Sequence, residues 1–405
     1  MAGNGYIKSL DGVRAFAILF VMSFHARLTN FGWIGVQLFF VLSGFLITGI
    51  LWKEKFSPEP LGFRFGRFWV RRSLRIFPLY YGYLALIAIA FLLFHFPSYF
   101  PQFSPYIFSY TANFPLSLLH KFGNPLFNHL WSLSIEEQFY LLFPLIILLS
   151  PPRMIKGLLL FIILASPVLR YFVGEYYKGL GQSPLTISDA VNFNTLCQLD
   201  AFCLGGLIPV LSLDKKIKRP WTIFFISAVI AISAGAVNYF TSGNEPVPDA
   251  TADVPLPSTS LRDFWLDGGY YHYSTAHYQH VWQYTCLNLV FAAFILALVG
   301  VHGKERFRGV TRLLENNFLV RIGKVSYGMY IFHWLLYIYV FYDHFHPDNR
   351  WQIAALFVPY AIFVYLVAEI SFRFYEYRFI KLKDRFFRKS PKNVKSPQPS
   401  TVKIP

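Results

Sequence analysis

The sequence predicts an all-α polytopic membrane protein of about ten transmembrane helices with both termini in the cytoplasm. Three observations carry that expectation. Of the 405 residues, 55% are hydrophobic and only 14% charged, whereas soluble domains carry about a quarter charged residues. The apolar residues fall in ten blocks of about 18 to 25 residues, each long enough to cross a bilayer. With both termini inside, 31 of the 37 Lys and Arg lie in inner segments. The outer face keeps Arg27, Lys121, Arg170, Lys178, Arg262 and Arg350. This positive-inside asymmetry accounts for the net charge of +16 through orientation and lipid head groups, without nucleic acid.

The blocks are 11–28, 33–52, 76–96, 131–150, 155–173, 190–211, 221–240, 281–301, 322–341 and 351–375. The first is long and runs straight into the second, so it reads as a retained helix rather than a cleaved signal. Residues 53–75 read as a basic inner loop ending in Arg71-Arg72-Ser73-Leu74-Arg75. Residues 97–130 and 241–280 read as long outer loops, the second turning aromatic from Phe264 to Trp282. Cys197, Cys203 and Cys286 lie in or beside spans, and their odd number implies buried thiols rather than a disulfide framework. The chain thus divides into a membrane domain, 1–378, and a basic cytoplasmic tail, 379–405, expected to be disordered.

Ionisable residues inside a span are costly and are functional candidates by default. Span 1 carries Asp11, Arg14 and His25; span 4 carries Glu136 and Glu137; span 6 carries Asp200; span 9 carries His333; span 10 carries Glu369 and Glu376. Counted from the inner ends of their spans, His25 and His333 fall near the bilayer midplane. Arg14 and His25 are eleven residues apart, about three turns, so they share one helix face about 16 Å apart. That distance matches an extended phosphopantetheine arm, with phosphates at Arg14 and a thioester at His25. The competing reading is a snorkelling Arg and a histidine satisfied by a neighbouring helix.

Three further groups stand out. Arg72 and Arg75 form a facing i, i+3 pair whose guanidinium forks suit phosphate, or they are ordinary inner-loop charge. Glu136 and Glu137 point about 100° apart, so at most one faces the bundle centre; it would orient an imidazole or pair with an arginine. Ser326, Tyr330 and His333 make an i, i+4, i+7 polar stripe that either stitches helices or does chemistry, with Gly328 permitting close approach. His272, His277 and His280 suggest zinc at first sight, but no Cys or i, i+4 His pair supports them, and no metal is expected.

Taken together these residues resemble the integral membrane acyltransferase-3 family, the O-acetyltransferases of bacterial surface polysaccharides, nodulation factors and some antibiotics. Leu10-Asp11-Gly12-Val13-Arg14-Ala15 followed by ten residues and His25 resembles the family's basic-X10-His motif. Phe39 to Ile47, Arg72-X-X-Arg75 with Pro78, Trp131 to Tyr140, Leu199-Asp200-Ala201 with Gly205-Gly206, and the Ser326 to His333 stripe match further blocks in the family's order. The resemblance implies transfer of an acyl group, usually acetyl, from cytosolic acetyl-CoA to a hydroxyl of a cell-envelope or exported saccharide, in the bacterial inner membrane. The partners it implies are acyl-CoA, a glycan or lipid-linked saccharide, and membrane lipids, with no metal.

The expected machinery is His25 as general base, Glu136 or Glu137 orienting it, and His333 as a supporting or acceptor-binding group. Tyr330, Ser326 and Ser43 are expected oxyanion donors, with Ser43 also counted in the donor site beside Arg14, Arg72 and Arg75. Direct transfer and an acyl-histidine intermediate both remain open. Two departures stand out: Glu376-Tyr377-Arg378-Phe379 has Arg where the family has Pro, which puts Glu376 in doubt, and the esterase-like domain of some relatives is not expected here, so that acceptor handling is expected of the membrane domain and its outer loops. Trp265, Tyr270, Tyr271, Tyr273, Tyr278 and Trp282 read as a lid over a glycan entrance or as interface anchors. A secondary transporter and a non-catalytic scaffold are the competing classes, the first because midplane ionisable residues and interrupted helices are also its marks.

Overall fold

The computed structural model describes residues 6–97, 99–119, 124–242, 268–271, 274–301, 308–347 and 349–386. Every expected span coincides with a helix, and no strand occurs among the described residues. The long helices, labelled in chain order, are α1 Lys8–His25, α2 Ile34–Lys55, α3 Leu61–Phe94, α4 Trp131–Leu149 and α5 Pro152–Gly179. They continue with α6 Thr195–Leu211, α7 Pro220–Thr241, α8 Gln279–Gly300, α9 Asn317–Leu336 and α10 Arg350–Ser371. Local chemistry sets their starts. The side chains of Asn194, Asn316 and Asn349 cap the first amides of α6, α9 and α10, and Pro152 and Pro220 occupy the first positions of α5 and α7.

Among the described residues seven helices are long and apolar enough to cross a membrane, or eight when Pro184–Asn192 and α6 count as one span bent by 50°. α1 and α9 are the remaining two of the ten. Lys8, Asp11 and Arg14 interrupt the first, and Arg321, Lys324 and His333 the second. The two least lipid-like helices lie against each other in the bundle, and there Asp11 and His333 are buried among protein groups instead of facing hydrocarbon.

Glycine permits the closest crossings. A Cβ on Gly44 would lie 2.1 Å from the Phe202 carbonyl oxygen, and one on Gly205 would lie 2.0 Å from that of Val41, so α2 and α6 meet backbone to backbone. Gly323 does the same for α9 against α1, where an added Cβ would fall 1.8 Å from the Asp11 oxygen. The close approach expected at Gly328 is a looser one, 3.2 Å from the Ala368 Cβ.

Several sequence expectations are corrected. Residues 53–75 are not a loop: α2 runs to Lys55 and α3 begins at Leu61, because Arg and Phe are adequate helix formers and Pro60 only precedes the first turn. The 97–130 segment contains short helices at Phe100–Phe108, Asn113–Leu119 and Pro125–Asn128. Tyr377–Phe386 is helical and packs on α3; the expected disorder beyond it lies outside the described residues. Arg170 is not an outer-face charge. It is fully buried, 2.5 Å from Asp200, with Cys197 and Val281 carbonyls and the Thr285 hydroxyl taking its other N–H groups.

Candidate active site

α1, α2, α3, α4 and α9 line a partly open cavity with about 780 Å³ of empty space, its mouth included. Arg14, Arg72 and Arg75 all line it, from two different helices. Ser43, Ser132, Glu136, Tyr140, Ser326, Tyr327 and Tyr330 complete its polar lining. Three guanidinium groups face one carboxylate here, which makes the space favourable for an anion. Arg14 is also ion-paired with Asp11, which takes a second hydrogen bond from the Tyr6 hydroxyl. Arg72 lies over the Tyr140 ring, 4.8 Å from its centroid.

His25 and His333 meet at the end of α1 remote from Arg14. His25 is the last residue of α1, and its Nδ1 is 2.7 Å from His333 Nε2. α1 starts three residues earlier than expected, so His25 lies about 26 Å along its helix at 1.5 Å per residue. His25 therefore closes α1, whereas His333 stands about midway along a helix that continues past Leu336 through Tyr337–Tyr342 and Asp343–Phe345. His333 is fully buried, and its Nδ1 is 2.6 Å from the Tyr330 carbonyl oxygen. A carbonyl only accepts, so His333 Nδ1 carries the proton. In a neutral ring its Nε2 must then accept, and His25 Nδ1 must donate. The hydrogen-bond network thus assigns the lone pair of His25 to Nε2. Trp334 packs on the His25 ring with centroids 3.7 Å apart.

Tyr330 separates the two regions. Its hydroxyl donates to the His129 carbonyl at 2.7 Å and accordingly accepts from Ser132 Oγ at 2.6 Å. Ser132 and Tyr330 line the cavity, whereas His129 and His333 stand behind them with ring centroids 5.3 Å apart.

The carboxylates do not take the places expected of them. Glu136 lines the arginine cavity and accepts from Ser43 Oγ at 2.8 Å, one helical turn beyond Ser132. His25 Nδ1 meets His333 Nε2, while Glu136 is turned to Ser43. Glu137 points away, its Oε1 buried without a hydrogen-bond partner among the described residues. The expected oxyanion donors also have their protons committed. Ser43 donates to Glu136, Ser326 to the Gly323 carbonyl and Tyr330 to His129.

Sequence reasoning missed several residues. Ser132 was visible only as part of the matching Trp131 to Tyr140 run and His129 lies just before it; their apposition to Tyr330 comes from packing. Glu376, doubted for its sequence context, is buried, accepts from Ser371 Oγ at 3.2 Å and is acted on by the Arg75 charge. Glu369 instead pairs with Arg321 and Arg373. On the expected lid, Tyr270 and Tyr271 are buried, and Tyr270 donates to the Ala231 carbonyl at 2.7 Å, so they pack helices instead of facing a ligand. Trp265, Tyr273 and His272 lie outside the described residues. Among the described residues no group of three His, Cys, Asp or Glu is arranged to hold a metal.

Comparison with known proteins adds an independent line. The description "Acyltransferase domain" of the acyltransferase-3 family matches residues 7–370. The O-acetyltransferase OatA of Staphylococcus aureus strain NCTC 8325 / PS 47 is 28% identical over 397 residues, covering 92% of this chain. A putative O-acetyltransferase of Staphylococcus aureus strain COL is 28% identical over 401 residues, covering 93%. This chain spans only 57% and 58% of the length of those two relatives. No solved structure matches. With a family match across nearly all of the helical bundle, this chain belongs to the membrane acyltransferase-3 family.

Proposed function

We propose that the chain is a membrane O-acyltransferase that moves an acyl group, acetyl, from cytosolic acyl-CoA to a hydroxyl of a cell-envelope or exported saccharide in the bacterial inner membrane. The observation that carries this reading is the shared axis of α1 and α9. An arginine cavity lies toward one end of α1, a hydrogen-bonded histidine pair lies at its other end, and Tyr330, which lines the cavity and bonds Ser132, stands one turn of α9 before His333. The inner-face charge asymmetry supports donor access from the cytoplasm. The O-acetyltransferase names of the relatives support acetyl and oxygen.

In this mechanism Arg14, Arg72 and Arg75 hold the donor's phosphates. The arm extends past Tyr330 as the Tyr330–Ser132 bond opens. His25 Nε2 takes the acceptor's hydroxyl proton while that oxygen bonds to the thioester carbon. The C–S bond then breaks, and His25 returns the proton to the departing sulfur. His333 Nε2 accepts the other N–H of His25 throughout, which holds the ring and stabilises its protonated form. A positioned base of this kind contributes about 10² to 10⁴-fold. Opening the Tyr330–Ser132 pair frees the Ser132 proton for the developing oxyanion.

The test is transfer from labelled acetyl-CoA to cell-envelope glycans in membranes, with the product identified by mass spectrometry. His25→Ala should abolish transfer without affecting membrane insertion. Wild-type rates from purified His25→Ala protein would refute the mechanism. Solute flux without loss of thioester would favour a transporter.

A further inference from the structure

Because residues 61–75 are helical, their arginines fall in register. As a loop, the arginines there are scattered inner-face charge. As the first four turns of α3, Arg67, Arg71 and Arg75 recur at i, i+4 and i+8 and form a stripe along one face. That stripe lines a second cavity, with about 1050 Å³ of empty space, together with Glu54 of α2, Arg72 and Ile380 of the Tyr377–Phe386 helix. Arg72 and Arg75 line both cavities. The two spaces therefore adjoin at that pair, the first reaching Tyr330, one turn before His333, and the second reaching Arg67 toward the N-terminal end of α3.

The second cavity is the more basic. Four guanidinium groups face one carboxylate, and Glu54 is ion-paired with Arg67. Arg64, one turn earlier, donates instead to the Glu54 and Lys55 carbonyls at the end of α2, which fixes the wall of the cavity. This much positive charge exceeds what a diphosphate already held by Arg14, Arg72 and Arg75 requires.

We propose that this inner cavity binds the 3′-phosphorylated nucleotide end of the acyl donor, with Arg71 as the residue that reads the 3′-phosphate and Arg67 as its support. The inference rests on the acyl-CoA reading and deepens it. The shared Arg72–Arg75 pair takes the diphosphate, the arm runs toward His25, and the nucleotide lies back along the α3 stripe. Glu54 keeps Arg67 oriented until a phosphate competes for it. A dephosphorylated donor leaves Arg71 without its anion, so the site selects the 3′-phosphorylated form.

Calorimetry on the purified full chain in nanodiscs, with coenzyme A, 3′-dephospho-coenzyme A and adenosine 3′,5′-bisphosphate as probes, tests this without an acceptor. Coenzyme A should bind about ten- to a hundredfold more tightly than the dephospho form, the range for a charge-assisted hydrogen bond. Arg71→Ala should erase that preference and leave dephospho-coenzyme A affinity unchanged within about twofold, and Arg71→Lys should retain part of it. Adenosine 3′,5′-bisphosphate should bind wild type and not Arg71→Ala. Equal wild-type affinity for the two coenzymes, or equal weakening of both by Arg71→Ala, overturns the subsite while leaving the acyl-CoA reading intact. Absence of binding by either coenzyme overturns both.

Discussion

The histidine pair makes a prediction that separates its chemistry from its packing. His333 is fully buried and gives His25 an acceptor at 2.7 Å. His333→Phe keeps most of the ring volume but leaves the His25 Nδ1–H and the Tyr330 carbonyl facing hydrocarbon. One buried donor left unmade costs about 1 to 3 kcal/mol. If that cost falls on the positioned, protonated form of His25, kcat should drop roughly 5- to 150-fold, since about 1.4 kcal/mol is tenfold. KM for acetyl-CoA should stay within about twofold, because the arginine cavity does not include His333. His333→Gln retains an amide oxygen able to accept from His25 and should recover most of the loss. The assay is initial-rate kinetics with labelled acetyl-CoA in proteoliposomes, alongside thermal melting in detergent. Wild-type kcat in His333→Phe, or equal losses in the Phe and Gln variants at unchanged melting temperature, would refute the assignment of His333 as the partner that orients His25.

Three other outcomes follow from the geometry. Arg75→Ala removes one of three guanidinium groups in the cavity and should raise KM for acetyl-CoA about ten- to a hundredfold with a smaller change in kcat, read from donor saturation curves. Arg170→Ala strands the fully buried Asp200, which should cost about 3 to 5 kcal/mol and appear as a lowered melting temperature; the paired Arg170→Met, Asp200→Leu variant should regain much of it. Gly205→Val places a Cβ 2.0 Å from the Val41 oxygen, so α2 and α6 must separate, and the yield of monodisperse protein on size exclusion should collapse, whereas Gly157→Val, with nothing within 4 Å, should express normally.

Helix existence was legible because a bilayer imposes a length and an apolar composition on anything that crosses it, and among the described residues seven helices meet both conditions, or eight with the bent pair. Helix ends were less so. The 53–75 stretch was read as a loop because arginines break the apolar pattern, yet they do not break a helix: outside the hydrocarbon, charge is compatible with helical backbone. Arg170 was misplaced for a related reason. Its position near the end of a span implied exposure, and only the arrival of Asp200 and Thr285 from two other helices keeps it inside.

The sequence by itself determined the all-helical class, the charge asymmetry and the alignment of Arg14 with His25, because each follows from periodicity along one chain segment. Only the tertiary structure decided who meets whom. It joined His25 to His333 across 308 positions, sent Glu136 to the arginines instead of the imidazole, and set Tyr330 between cavity and histidines. Those pairings depend on how helices rotate about their own axes and where glycines let them touch, and neither is encoded in the spacing of any single helix.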